Sequence, residues 1–153
     1  MESTQPTQRI DPVRKSVVVD TSVEHAFRVF TERIGEWWPV KTHSVHEELA
    51  ETAGIEPRVG GDVFELWRDG RESWGEVTAW EPPHRLVFTW HPGRPAEETT
   101  EVEVRFAAQG GSTLVELEHR GWEARGENAL AARASYDEGW DPVLARYGEA
   151  ASG

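Results

Sequence analysis

Between Ile55 and His119 apolar and polar residues alternate with a period of two, and this pattern restricts the middle of the chain to half-buried strands. Six segments carry it: Ile55–Val59, Asp62–Arg68, Ser73–Glu81, Arg85–His91, Thr99–Ala107 and Ser112–His119. The links between them are turn pairs: Gly60-Gly61, Asp69-Gly70, Pro82-Pro83, Pro92-Gly93 and Gly110-Gly111. Links this short join antiparallel neighbours, which predicts a meander. Val102, Val104 and Phe106 share one face while Glu101, Glu103 and Arg105 share the other. Leu86, Phe88 and Trp90 fall together in the same way, as do Val115, Leu117 and His119. The sheet has one dry face and one wet face.

A dry face must be covered. The cover is a helix predicted over Asn128–Tyr147, where Tyr136, Trp140, Val143 and Tyr147 form a stripe that Leu130 and Ala134 extend. Pro142 inside it predicts a bend. Ahead of the meander, Val13–Asp20 is dense in β-branched residues and reads as a first strand. Thr21 and Glu24 form a capping-box pattern, and Val23, Phe27, Phe30 and Ile34 follow at helical spacing. Gly35 interrupts this helix, and Glu36-Trp37-Trp38 makes a short second turn that Pro39 stops. Residues 41–54 read as a loop with a helical turn around Glu47–Thr52. The expected architecture is α+β: a curved antiparallel sheet of about seven strands wrapped around a long C-terminal helix, with two short helices after the first strand. Residues 1–12 form a flexible arm, 13–148 a single domain and 149–153 a flexible tail. A straight helix does not fill a curved sheet, so a hollow is expected between them, and it is the candidate binding site.

Composition narrows the function. Twenty-eight acidic residues against 16 basic ones give a net charge of −12, with no Lys/Arg-rich stripe, which argues against nucleic acid as a partner. The absence of cysteine excludes disulfides, thiolate metal sites and cysteine nucleophiles. No run approaches the roughly 18 apolar residues of a membrane span. The opening MESTQPTQRIDP has neither the basic start nor the apolar core of a signal peptide, so a cytoplasmic location is expected.

Eight tryptophans stand out in a chain that is only 37% hydrophobic. Stiff, flat side chains fill a core, and they also wall a cavity and stack on planar ligands. Trp90, Tyr136 and Trp140 are the preferred lining residues, with Trp38, Trp67, Phe88, Phe106, Leu117 and His119 in the wider set. His119 points inward near a strand end, either as a hydrogen-bonded core histidine or as a group that orients a ligand or acts as general base. Glu65 alternates with Val63 and Trp67, and Arg68 and Arg71 are near enough in sequence to pair with it. It is the second candidate for acid–base work. Glu76 is expected in solvent. His43, His46, Glu47 and Glu48 have spacings seen in zinc sites, but no metal and no cofactor are expected.

The stretches SVVVDTSVEHAFRVFTERIGEWWP, VGGDVFELW, WGEVTAWEPPHRLVFTW, TLVELEHRGWE and SYDEGWDPVLARY, in this order, resemble the START-like superfamily with the helix-grip fold, also called SRPBCC or Bet v 1-like. The branch it looks like is the group named for the C-terminal domain of the activator of Hsp90 ATPase. EWWP, ELEH and GWDPVLARY are also similar to the self-resistance proteins of enediyne (calicheamicin-type) antibiotic producers. The resemblance implies the fold and a ligand cavity, in a superfamily that spans lipid carriers, aromatase/cyclases and hormone receptors. It implies a binding protein for a hydrophobic or polycyclic small molecule, monomeric or weakly dimeric. In a sharper form, this would be sequestration of, or self-sacrifice against, an enediyne-type product. The alternatives are a polyketide cyclase or aromatase using His119, and an Hsp90-type chaperone regulator. For self-sacrifice the reactive group would be a glycine whose backbone C–H is open to a diradical. Gly110 and Gly111 are the candidates, though turn glycines ordinarily serve positive φ.

Overall fold

Pro57 has no amide proton to give a ladder, and it displaces the start of the meander. In the computed structural model, which describes residues 10–152, β2 is Ala50–Ile55 rather than Ile55–Val59. It pairs with β3, Asp62–Trp67, in the register Ile55↔Val63. The chain between them turns back, with Glu56 N–H donating to the Asp62 carbonyl at 2.9 Å. The helical turn expected over Glu47–Thr52 is reduced to a 3-10 turn, Glu47–Leu49, because the ladder of β2 already claims Ala50. The other strands fall within three residues of their expected ends: β4 Gly70–Glu81, β5 Arg85–Trp90, β6 Thr100–Gln109 and β7 Ser112–Arg120.

β1, Val13–Val19, pairs antiparallel with β7, so the seven-stranded sheet has the order β1-β7-β6-β5-β4-β3-β2. α1 spans Val23–Thr31 and α2 Ile34–Trp37. The cap of α1 is Ser22, whose hydroxyl accepts from His25 N–H at 3.2 Å, one residue beyond the expected Thr21. The Thr21 carbonyl accepts from the Thr113 hydroxyl and ties the helix entry to β7. A 3-10 segment, Trp122–Asn128, leads into α3, Ala129–Ser152. Thus the tail expected from Glu149 is helical as far as it is described, with Ala151 buried. Of the expected arm, residues 1–9 lie outside the described residues. The sheet curls around α3 as a half-barrel, the helix-grip arrangement. Among the described residues no helix is long and apolar enough to cross a membrane.

Aromatic edges lock the layers together. Phe27 and Phe30 of α1 meet Phe106 of β6 at 5.1 and 5.9 Å between ring centroids, and Phe30 meets Tyr147 of α3 at 5.1 Å. The Tyr147 hydroxyl donates to the Ala26 carbonyl at 2.8 Å. Inside the sheet β4 and β5 pinch together at Gly75, where any Cβ would collide with the Thr89 carbonyl oxygen. The pinch brings His91 N–H onto the Trp74 carbonyl at 2.7 Å and sets Trp74 beside Trp90.

The wet face carries a network of charge. Glu103, nearly buried on β6, accepts from Arg85, Arg105 and Arg120 at 2.6 to 2.9 Å. Burial pushes its carboxyl up, but the three guanidinium groups override this and bring it down to about 2. A carboxylate depressed from its ordinary 4.5 stabilises the fold fully above that value and loses the contribution as pH falls toward 2. Glu103→Gln is therefore expected to lower stability by about 1–3 kcal/mol at pH 7, discounted for the exposure of the arginines. The variant's urea midpoint should fall less steeply than the wild type's between about pH 4.5 and 2; parallel curves would contradict this account.

Candidate functional site

Trp38, Trp74, Trp90 and Trp140 converge between the inner face of β4 and β5 and the flank of α3, around a cavity of about 410 Å³. Different local rules deliver each one. Pro39 ends the helical path, leaving Trp38 extended (φ −64°, ψ 126°) at the close of α2. Trp74 and Trp90 lie on paired strands, and Tyr136, Trp140 and Val143 share one stripe of α3. Ring centroids of Trp38 and Trp74 are 5.2 Å apart, of Trp74 and Trp90 5.4 Å, and of Trp90 and Trp140 5.9 Å. These are the spacings of offset and edge contacts. The loop at 42–45 and the Pro92-Gly93 turn complete the wall, together with Gly139.

Buried polar groups hold the indoles. The Trp74 N–H donates to Glu65 at 2.6 Å, and the same carboxylate accepts the backbone N–H of Val45 at 2.7 Å and of His46 at 3.0 Å. Glu65 is completely buried and is not among the cavity-lining residues. Its arginine neighbours turn elsewhere: Arg68 to Asp69, and Arg71 to Glu56 and Asp62 with its guanidinium 3.7 Å over the Phe64 ring. The expected acid–base candidate is a clamp that ties the loop to β3 and Trp74, its charge met by three N–H donors.

His119 is likewise completely buried. The Trp140 N–H donates to its Nδ1 at 3.0 Å, which leaves the ring proton on Nε2, 2.7 Å from the Thr100 hydroxyl. That hydroxyl in turn donates to the Trp90 carbonyl at 3.1 Å. Burial, helped by the charge of Arg125, lowers the His119 pKa to about 3. The imidazole is neutral near pH 7 with both nitrogens engaged, so it positions Trp140 and holds no free lone pair for a substrate proton.

Of the expected lining residues, Trp38, Trp90, Tyr136 and Trp140 meet at the cavity. Phe88, Phe106 and Leu117 are core residues and do not line it. Trp67 stands apart, stacked on His46 at 3.7 Å, while His46 Nε2 is bonded to Glu72 at 3.0 Å. Gly110 and Gly111 occupy the tip of the β6–β7 turn, roughly 25 Å along the strands from His119. The glycines on the cavity wall are Gly93 and Gly139. Among the described residues no group of three or more His, Asp or Glu is arranged to hold a metal ion. Sequence reasoning missed Trp74, Thr42, His43, Ser44, Val45, Pro92, Gly93, Gly139 and Val143 as lining residues. Val143 was already on the helix stripe; the loop residues carry no periodic signal.

Residues 20–149 match the model of a family described as Activator of Hsp90 ATPase homolog 1-like protein. A search of curated proteins gives no match. Among solved structures, Txn09, an anthrahydroquino-γ-pyrone synthase complexed with SUM, is 36% identical with a TM-score of 0.64, covering 95% of this chain and 99% of that one. CalU16 from Micromonospora echinospora is 25% identical with a TM-score of 0.66, over 98% of this chain and 82% of its own. DynU16, a protein in the dynemicin biosynthetic locus, shares the fold at 19% identity and a TM-score of 0.64, over 92% of this chain and 46% of its own. The family match spans most of the sequence and its fold is the one described above; this chain belongs to the Activator of Hsp90 ATPase homolog 1-like family.

Proposed function

We propose that this protein holds a planar polycyclic polyketide in the tryptophan-walled cavity. The observation that carries the reading is the wall itself: four indoles around about 410 Å³, three of them locked by hydrogen bonds to His43, Glu65 and His119. Aromatic faces fixed in advance stack on a flat ligand with little ordering cost. The volume lies in the range of small-molecule pockets. The 36% identity to a protein described as an anthrahydroquino-γ-pyrone synthase supports the choice of ligand class.

Gly139 provides the test. A glycine in mid-helix costs roughly 1 kcal/mol relative to alanine, yet Gly139 sits inside α3, lines the cavity, and a Cβ there would meet nothing within 4 Å. The glycine keeps the cavity open. Gly139→Phe is expected to preserve or raise the thermal midpoint while filling the cavity and weakening binding of an anthraquinone probe at least about tenfold, read by tryptophan quenching. Unchanged affinity in a folded variant would refute the site.

A second reading, ring closure on the bound ligand, is favoured by His43, the sole imidazole on the wall, where no carboxylate lies. The Thr42 hydroxyl donates to the Pro39 carbonyl at 3.3 Å, so His43 Nδ1 donates to Thr42 at 2.8 Å and the lone pair is on Nε2. Such a base would take a phenol proton as the phenol oxygen adds to the β-carbon of a conjugated enone; the C=C electron pair moves onto the carbonyl oxygen, and the imidazolium returns the proton to the α-carbon. Mass spectrometry after incubation separates the outcomes. Unchanged ligand indicates a carrier, a cyclised product an enzyme, and a chain cut at Gly93 or Gly139 a self-sacrificing sink. For a chaperone-regulator role a docking patch would be needed; among the described residues the exposed large apolar side chains Val18, Leu49, Val59 and Leu130 are scattered over separate segments, and the wet face is a charge network.

A further inference from the structure

We infer that Trp90 Nε1 and the Tyr136 hydroxyl together hold one oxygen of the ligand, so that the cavity selects a polycycle with a carbonyl at that edge over the same skeleton without it. This deepens, and rests on, the reading of the cavity as a polycycle site. Of the four wall indoles, three donate to protein acceptors, and Trp90 does not. Trp90 is 5% exposed, its Nε1 is shielded from solvent, and among the described residues that N–H meets no acceptor in full hydrogen-bond geometry, only a loose approach to the Tyr136 oxygen. A buried donor without an acceptor is rare in folded proteins and asks for an explanation. Here the residue lines a cavity, and the missing acceptor is one that a ligand brings.

Tyr136 supplies the second donor. Its ring centroid is 6.5 Å from that of Trp90, and it lines the same cavity. Burial pushes its hydroxyl pKa up; the loose hydrogen bond from the Trp90 N–H and the charges of Arg125 and Arg94 pull the other way without reversing the shift. The hydroxyl therefore keeps its proton near neutral pH and donates. Two converging donors complement a carbonyl oxygen, which has two lone pairs. They are wasted on a hydrocarbon edge or a fatty chain. Arg94 and Arg125 both pair with Glu98, at 2.6 and 3.2 Å, which spends their charge and favours a neutral carbonyl over a carboxylate.

The experiment is isothermal titration of the full chain with anthraquinone-2-sulfonate and anthracene-2-sulfonate, which match in shape and charge and differ in the ring oxygens. Wild type is expected to bind the quinone about tenfold more tightly. Tyr136→Phe and Trp90→Phe should each lower the quinone-to-anthracene ratio toward one, whatever either does to the affinity for both probes together, with thermal melting confirming the fold. If Trp90→Phe does not fold, Tyr136→Phe decides alone. Equal binding of the two probes by wild type, or a ratio untouched by Tyr136→Phe, overturns the anchor and leaves the cavity reading standing. Failure of both probes to bind overturns the cavity reading and the anchor with it.

Discussion

Replacing Glu65 with alanine is expected to unfold the cavity wall and to be the most damaging single change in the site. The substitution strands three donors at once: the backbone N–H groups of Val45 and His46 and the indole N–H of Trp74. Each buried donor left unpaired costs about 1–3 kcal/mol, and the loop can recover part of this by opening to water. A net loss on the order of 3–5 kcal/mol would then remain, a large share of the roughly 5–15 kcal/mol of a typical domain. Glu65→Gln retains one acceptor oxygen but turns an NH₂ toward groups that themselves donate, so it should fall between wild type and alanine. The check is urea unfolding followed by tryptophan emission. The alanine variant should show both a lower midpoint and, before unfolding, a red-shifted native spectrum from a loosened Trp74. A loss below about 1 kcal/mol would remove the clamp from this account.

His119→Gln is expected to have the next largest effect, and its signature is a pH dependence. The histidine ordinarily titrates near 6.5, but in the folded chain burial first, and Arg125 second, bring it to about 3. Between these values the unfolded chain binds a proton that the folded chain refuses. Stability is therefore complete above about pH 6.5 and declines as pH falls toward 3, by up to about 1.4 kcal/mol per unit. Wild type should lose up to about 2 kcal/mol between pH 7.5 and 5 from this group, and His119→Gln should lose little over the same window. At pH 7.5 the variant should be less stable by about 2–3 kcal/mol, because Trp140 and Thr100 lose well-placed partners in the core. Ligand affinity should drop as Trp140 is freed. If the two proteins respond to pH in parallel, His119 does not titrate as its burial dictates.

Both residues were singled out from the sequence as candidates for acid–base chemistry, and in both the pattern identified an inward-facing polar group without revealing its task. For His119, alternation with Val115 and Leu117 sufficed to turn it inward. Its partner Trp140 lies 21 residues away on α3, a juxtaposition that no local rule encodes. For Glu65 the sequence neighbours Arg68 and Arg71 suggested an ion pair. The actual donors come from a loop some 20 residues earlier and from β4. Trp74 was passed over because register shifts interrupt strict alternation along β4, one between Val63 and Phe64 on its β3 side and one between Val77 and Ala79 on its β5 side.

What the sequence determined by itself is what depends on neighbours in the chain. Period-two alternation and turn pairs set a meander of antiparallel strands with one dry face, and the stripe Tyr136, Trp140, Val143, Tyr147 required a covering helix. Pro39 and the β-branched run at residues 17–19 placed the short helices between β1 and the meander. Only the tertiary structure decided which tryptophans face one another, which polar group holds three of them, and which indole N–H is left without a full hydrogen bond. Those outcomes follow from register shifts of a single residue, from the angle at which α3 crosses the sheet, and from pairings between segments tens of residues apart. A hydrogen bond forms or fails over a few tenths of an ångström, whereas a hydrophobic pattern specifies a face and not a distance.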